Sequence, residues 1–251
     1  MASTTLYKGD CLELMKNIPD GSVDMILCDL PYGTTACKWD TVIPFEPLWE
    51  QYKRVCKPNA VVCLFSAEPF GSALRMSNIK DFKFDYIWDK HNTTGFLNAK
   101  KKPLSRHETI CVFSSAKYGK FTYNPIMRKG VMRKKGGYNK KPVECYSPYK
   151  EQIKVNDLYY PTSIISIGTV YRNKNVHPTQ KPVPLLEYLI RTHTNEGETV
   201  LDNCMGSGST GVACMNTNRN FIGIELDENY FNIAKQRIEE AEKAVNIFED
   251  F

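Results

Sequence analysis

Apolar residues in this chain fall in short runs separated by polar turns. "SVDMILCDLPYG" (22–33) and "AVVCLFS" (60–66) carry continuous apolar stretches, as strands buried on both faces do. "FDYIWDK" (84–90) and "ETICVFSS" (108–115) read as further strands. Between them, "EPLWEQYKRVCKPN" (46–59) predicts an amphipathic helix stopped by Pro58. The same rhythm returns near the end. "PVPLLEYLIRTHT" (182–194) is a helix with Pro near its start, "TVLDNC" (199–204) a strand and "STGVACMNT" (209–217) a helix. "NFIGIELD" (220–227) is a strand, and "ENYFNIAKQRIEEAEKAV" (228–245) a long closing helix. Strands alternating with helices predict an α/β fold with a parallel sheet covered on both faces.

Residues 116–175 break the pattern. They are rich in Lys, Tyr, Gly, Asn and Pro, and "RKGVMRKKGGYNKK" (128–141) reads as a loop that buries no core of its own. The expected organisation is one α/β domain from 1–115 and 176–251, interrupted by an inserted module at 116–175.

Charge sharpens that division. The net charge is only +5, yet 13 Lys or Arg lie between Lys117 and Lys174, opposed by Glu144, Glu151 and Asp157 alone. The last 26 residues are net acidic. A basic block inside a balanced chain points to a polyanion partner. The polar start "MASTTLYKGD" carries no signal peptide, and no apolar run approaches the ~20 residues of a membrane span, so a soluble cytosolic protein is expected. The nine cysteines contain no C-x-x-C pair and several sit in apolar runs, so they read as reduced core residues rather than metal ligands. His91, His107 and His193 show no metal-site spacing.

Gly206, Gly208 and Gly211 in "VLDNCMGSGSTG" (200–211) form G-x-G-x-x-G between a strand and a helix, with Glu225 following 19 positions after Gly206. Such a turn lets the backbone approach a ligand, and a carboxylate after the next strand accepts ribose hydroxyls. NAD, FAD and S-adenosylmethionine all satisfy it. No G-K-[ST] follows, so a P-loop is excluded. "DLPY" (29–32) discriminates among the rest. The Asp29 carboxylate and the Leu30 carbonyl offer two acceptors, Pro31 stiffens the turn and Tyr32 offers a ring face. Two acceptors and a stacking ring suit an exocyclic amine on a planar base. A hydride-transfer site has no need of them.

At this point the chain resembles a known family. "DLPY" is similar to the D-P-P-Y motif of the amino-group DNA methyltransferases, which methylate adenine N6 or cytosine N4. "YKGDCLELMKNIPDGSVDMILCDLPYG" (7–33) looks like that family's N-terminal segment. "HPTQKP" (177–182) matches the segment before its cofactor helix. "LDNCMGSGSTG" resembles its cofactor loop and "FIGIELDENY" its ribose-binding strand. With D-P-P-Y first and the glycine loop last, the order is that of the permuted β group. Leu30 replaces the first proline of D-P-P-Y, and Met205 stands where an aromatic or another apolar residue is common.

The resemblance implies a Rossmann-like S-adenosylmethionine-dependent methyltransferase with a seven-stranded, mostly parallel sheet. It implies catalysis by Asp29, Leu30, Pro31 and Tyr32, with no metal. It places Asp10 and Cys11 at the adenine end of the cofactor and Thr179, Gln180 and Lys181 at its carboxylate. Asp202, Cys204, Gly206, Ser207, Gly208, Ser209 and Thr210 would cradle the methionine part, while Glu225 and Leu226 take the ribose and Asp29 closes the site. Gly211 becomes a helix-packing residue, and His177 a structural one. The base must be flipped out of the duplex to reach these groups. Segment 116–175 becomes the target-recognition region, with Arg128, Arg133, Lys134, Lys135 and Lys140 as DNA contacts. Asp29 favours adenine N6 over cytosine N4, because the N4 enzymes more often begin this motif with Ser. A homodimer and a cognate restriction endonuclease are further partners the resemblance allows. An NAD dehydrogenase would need a substrate domain after Glu225, where 26 residues remain, and a silent DNA-binding protein has no use for DLPY beside an intact glycine loop.

Overall fold

The computed structural model describes residues 2–33, 40–135, 154–169 and 180–249. The chain forms two compact units, residues 1–124 with 163–251, and 125–162.

The large unit is built on one sheet. Its strands are β1 (Thr4–Lys8), β2 (Val23–Cys28), β3 (Cys56–Ser66), β4 (Phe82–Thr94), β5 (Ser105–Phe113), β8 (Ile164–Ser166), β9 (Thr199–Asp202) and β10 (Asn220–Glu225). Their order is β1-β10-β9-β2-β3-β5-β4-β8. Only β5 runs against the others. The expected seven strands are therefore present, and the three-residue β8 adds an eighth at the edge. It comes from a stretch the composition had given to the insertion. The compact insertion is accordingly shorter than 116–175 and begins at Pro125.

Every residue of β2 is buried, which explains its apolar run from Met25 to Cys28, and Asp24 ahead of that run is paired with Lys57 at 2.8 Å. Met25 and Leu27 face α4 (Val183–His193), α5 (Ser209–Asn216) and α6 (Glu228–Glu249). Ile26 and Cys28 face α2 (Phe45–Val55) and α3 (Phe70–Ser77). The result is three layers, and each fully buried Leu or Ile here contributes roughly 1.5–3 kcal/mol. Helix α2 ends at Val55, three residues before Pro58, which lies inside β3. Proline is tolerated there because the β2–β3 register slips between Val23↔Cys56 and Met25↔Val61, freeing that stretch from the ladder.

The described cysteines carry free thiols. Cys28, Cys63, Cys111 and Cys214 are buried, whereas Cys11, Cys56 and Cys204 are half-buried, and Cys37 and Cys145 lie outside the described residues. His193 is fully buried, donates from Nδ1 to the Thr122 carbonyl at 3.1 Å, bonds through Nε2 with the Tyr86 hydroxyl at 3.1 Å, and is pushed by burial down to about 4. It is a neutral core residue at pH 7. Among the described residues no group of side chains is arranged to hold a metal ion, and no helix is long and apolar enough to cross a membrane.

The small unit holds β6 (Arg128–Lys135) paired antiparallel with β7 (Lys154–Tyr159). The described part of "RKGVMRKKGGYNKK" is thus a strand, not a loop. Gly130 makes room for the Tyr159 ring, which a Cβ would meet at 2.9 Å, and the Tyr159 hydroxyl donates to the Val131 carbonyl at 2.7 Å.

Candidate active site

The chain leaves β2 toward β3 and leaves β9 toward β10, so the connections diverge between two neighbouring strands. The crevice outside the carboxyl ends at such a divergence is where open α/β sheets bind ligands. Asp29 follows β2 there, and Asp202 ends β9.

Asp29 is gripped on both oxygens. Tyr32 donates its hydroxyl to Oδ1 at 2.7 Å, and Lys181 donates to Oδ2 at 2.6 Å. Lys181 Nζ also stands 3.3 Å from Glu108 Oε2 and 5.0 Å from the centre of the Phe65 ring. Lys90 reaches the other oxygen of Glu108 at 3.0 Å. Two carboxylates and two ammoniums thus alternate in a row with no net charge. Burial pushes the Asp29 carboxyl above its ordinary range, against the pull of Lys181. Burial acts upward on Glu108 too, but there the two lysines outweigh it and hold the carboxyl low. Lys181 would be lowered by burial, and Asp29 and Glu108 instead raise it. Glu108 Oε2 makes no hydrogen bond of good geometry, so its contact with Lys181 is electrostatic. The Tyr32 ring stacks on Phe70 with centroids 5.0 Å apart, which fixes one of its faces. Leu30 is buried and Pro31 half-buried beside it.

The glycine turn is held differently. Asp202 accepts from the Cys204 amide at 3.1 Å and the Thr210 hydroxyl at 2.6 Å, and burial pushes it up to about 6. Glu225 accepts from the amides of Gly206 and Asp227, both at 2.8 Å, and is also raised by burial. Gly206 and Gly208 have φ of 52° and 76°, the left-handed region that favours glycine. A Cβ on Gly208 would lie 2.8 Å from Ala234 Cβ, and one on Gly211 2.4 Å from Ile238 Cδ1. Gly211 is therefore the helix-packing residue expected of it, closing α5 on α6. The Cys204 thiol meets those of Cys11 and Cys28, and Cys28 is pushed up to about 12 by burial. Leu226 is exposed beside Glu225, and Gln180 is half-buried just before Lys181.

Several of the residues expected at the cofactor already have partners within the protein. Asp10 spends one carboxylate oxygen capping α1 (Cys11–Leu14), accepting from Leu12 and Glu13 amides at 2.9 and 3.2 Å. Lys181, expected at the cofactor carboxylate, is engaged with Asp29 and Glu108. The Ser207 and Ser209 hydroxyls are engaged by Arg237 of α6, at 3.0 and 3.3 Å, and the Ser207 carbonyl also accepts from Arg237. Thr210 serves Asp202. These three hydroxyls shape the turn from behind. Thr179, Lys140 and His177 lie outside the described residues. Arg128 and Arg133 are exposed on β6, whose backbone also carries Lys134 and Lys135. Sequence reasoning missed Glu108, Lys90, Phe70 and Arg237, which stand far along the chain from the motifs they support.

The cleft suits S-adenosylmethionine on its own chemistry. Three carboxyl groups, Asp29, Asp202 and Glu225, are raised by burial, and a ligand carrying cationic centres relieves that cost. The glycine turn, left-handed at Gly206 and Gly208, leads from β9 into α5 beside Glu225.

Comparison with known proteins follows the same line. The model of the N6/N4 DNA methylase family matches residues 23–236. The chain is 30% identical over 253 residues to the DNA adenine methyltransferase YhdJ of Escherichia coli K12, covering 94% of this chain and 83% of that one. It is 29% identical to the type II methyltransferase M.HinfI of Haemophilus influenzae, over 98% of this chain and 71% of the relative. Among solved structures, the M1.HpyAVI–SAM complex superposes with a TM-score of 0.63 at 27% identity, over 93% of this chain and 99% of that one. The cytosine-N4-specific PvuII DNA methyltransferase shares the fold with a TM-score of 0.68 at 15% identity, over 98% and 92%.

Proposed function

The chain belongs to the N6/N4 DNA methylase family, and from that premise we propose that it methylates the N6 amine of an adenine flipped out of DNA at a defined site. S-adenosylmethionine is the methyl donor and supplies, when bound, an electrophilic sulfonium methyl. The observation that carries the reading is Asp29, a raised carboxylate held in one orientation by Lys181 and Tyr32 at the divergence of the sheet.

The difficulty of the reaction lies with the nucleophile, because an aromatic amine donates its lone pair into the ring. Asp29 Oδ1 keeps a second lone pair beside the Tyr32 bond and accepts one N6 hydrogen. The Leu30 carbonyl accepts the other. Together they favour a pyramidal nitrogen and stabilise the charge developing there. Holding that nitrogen in line supplies much of the remaining rate. The methylated amine must then lose a proton, and Asp29, raised by burial, takes it at Oδ1. Tyr32, backed by Phe70, offers its other face to the extruded base, a stacking contact of ~1–3 kcal/mol. On the cofactor side Glu225 takes the ribose hydroxyls, and Asp202 with the 204–210 turn surrounds the methionine part. The basic β6–β7 ribbon, with Arg128 and Arg133, contacts phosphates and base edges. The reading includes a cytoplasmic setting in a bacterial or phage-infected cell. It leaves room for a homodimer and a cognate endonuclease.

The test is sequencing of modified bases in DNA from cells expressing the protein. N6-methyladenine at one recurring sequence is expected, and Asp29→Ala should abolish it while purified protein still binds the cofactor. N4-methylcytosine, or an Asp29→Ala protein that loses cofactor binding and transfer equally, would overturn the assignment.

A further inference from the structure

The β4–β5 pair outgrows the sheet. Cys28 pairs with Leu64, Leu64 with Cys111, and Cys111 with Asp85, so Asp29 lies at the level of Tyr86. Strand β4 then continues eight residues, to Thr94, which pairs with Ser105. Three of those residues loop out between Asp89 and Thr94, where the partner strand advances only from His107 to Ser105, so the arm covers five paired positions, up to ~17 Å at ~3.3 Å per residue, beyond the level of Asp29. It rises from the same carboxyl edge as the crevice, three strand spacings or ~14 Å to one side.

The tip of the arm is built for contact. Residues 95–102 read GFLNAKKK. The Asn98 amide donates to the Gly95 carbonyl at 2.9 Å, and the amides of Lys101 and Lys102 to the Asn98 carbonyl at 2.8 and 3.0 Å, so the turn is ordered by its own backbone. That order presents Phe96 69% and Leu97 100% exposed. Lys100, Lys101 and Lys102 follow, all exposed, and residues 95–105 contain no acidic side chain. Two apolar side chains at an exposed tip gain only when something covers them, and three adjacent lysines name an anionic partner.

We propose that residues 95–102 are a DNA-engaging wedge. Lys100–Lys102 neutralise backbone phosphates, and Phe96 and Leu97 enter the stack vacated by the extruded base. Apolar side chains such as Phe and Leu serve this purpose where duplexes are unstacked. The arm is long enough to cross a groove ~12 Å wide. The inference rests on the reading of the chain as a DNA methylase and adds an element that neither DLPY nor the basic ribbon supplies.

The test uses the full chain and an oligonucleotide carrying its mapped site. The double variant Phe96→Ala, Leu97→Ala should lose about tenfold or more in methylation of the paired duplex. It should stay within about twofold of wild type when the target base faces an abasic position, because no pairing partner then has to be replaced. Changing Lys100, Lys101 and Lys102 together to Ala should reduce the salt slope of duplex binding by ~2–3, one phosphate per lysine. Wild-type activity on the paired duplex by the double variant, an equal loss on both substrates, or an unchanged salt slope would overturn the wedge. A wild-type protein that methylates no DNA would strike at the underlying reading instead. Both variants sit on exposed residues, and circular dichroism checks that each keeps its fold.

Discussion

The carboxyl edge of the sheet is finished in two ways. On the β9–β10 side, the glycine turn is held by shape and by neutral donors. Asp202 accepts from an amide and a hydroxyl, Glu225 from two amides, and Gly208 and Gly211 admit α6 where any Cβ would collide. Beyond β2, Asp29, Lys181, Glu108 and Lys90 are held by opposite charge. The difference matches the two jobs. A turn that cradles a ligand through its backbone needs a fixed surface, and neutral donors fix it while leaving its carboxylates easy to protonate. A carboxylate that must be ready to accept an amine hydrogen needs a partner that aims it, and Lys181 does so while offsetting part of the cost of its burial.

Removing the cation should have the largest effect. Lys181→Met leaves Asp29 and Glu108 as neighbouring buried carboxylates without their shared partner. Breaking a buried pair in this way costs on the order of 3–5 kcal/mol. Transfer should fall by about 100-fold in kcat with the KM for S-adenosylmethionine little changed. The reverse pattern, kcat kept and KM raised, would return Lys181 to the cofactor carboxylate that the family resemblance gave it. Initial rates over a cofactor series decide between the two.

Filling the shape-held side should come next. A side chain at Gly211 meets Ile238 Cδ1 at 2.4 Å and Phe221 Cε1 at 2.8 Å with its Cβ alone. Gly211→Val adds two methyls to that collision, and overpacking of a core costs roughly 1–3 kcal/mol. Thermal denaturation should show a drop of about 3–10 °C, at ~2–4 °C per kcal/mol for a chain of this size. A midpoint equal to wild type would mean that α5 and α6 are not closed on one another as described.

How much of each side could be read in advance follows from what holds it. The glycine turn is legible because its constraint is local: left-handed backbone and close helix packing leave a G-x-G-x-x-G trace within six residues. The strands β2 and β9 are legible because burial on both faces forces continuous apolar runs. The charged row is not legible, because Asp29 and Lys181 are 152 positions apart and only the fold brings them together. Lys181 stood in a segment similar to the family's, yet the segment says nothing of its partner. Asp10 carries a second, local role that its motif does not announce, since an acid ahead of a short helix caps it whatever else it does. Strand β6 was unreadable because Val131 and Met132 are both exposed on a two-stranded ribbon, so no alternation of apolar and polar positions marks it. Pro58 misplaced the end of α2 because a β-bulge, invisible in sequence, accommodates it.

The smallest effect is the one that measures the neutral-donor side most directly. Burial pushes Asp202 up to about 6 in the folded protein, against ~3.9 for an unfolded aspartate. Between these values the folded state binds the proton and the unfolded state does not, so stability is greatest at low pH and is lost as pH rises through 6. Two units correspond to ~3 kcal/mol at most, and the raised Asp29 and Glu225 act in the same direction. Asp202→Asn keeps an oxygen for the Thr210 hydroxyl and removes the charge. Its denaturation midpoint should therefore fall less than that of wild type between pH 5 and pH 7.5. Adding S-adenosylmethionine to wild type should flatten the profile in the same way, because a bound cation replaces the proton. A profile that steepens, or one that neither the substitution nor the cofactor changes, would show that the glycine turn does not hold Asp202 as a poised, protonatable group, and the contrast with Asp29 would fail.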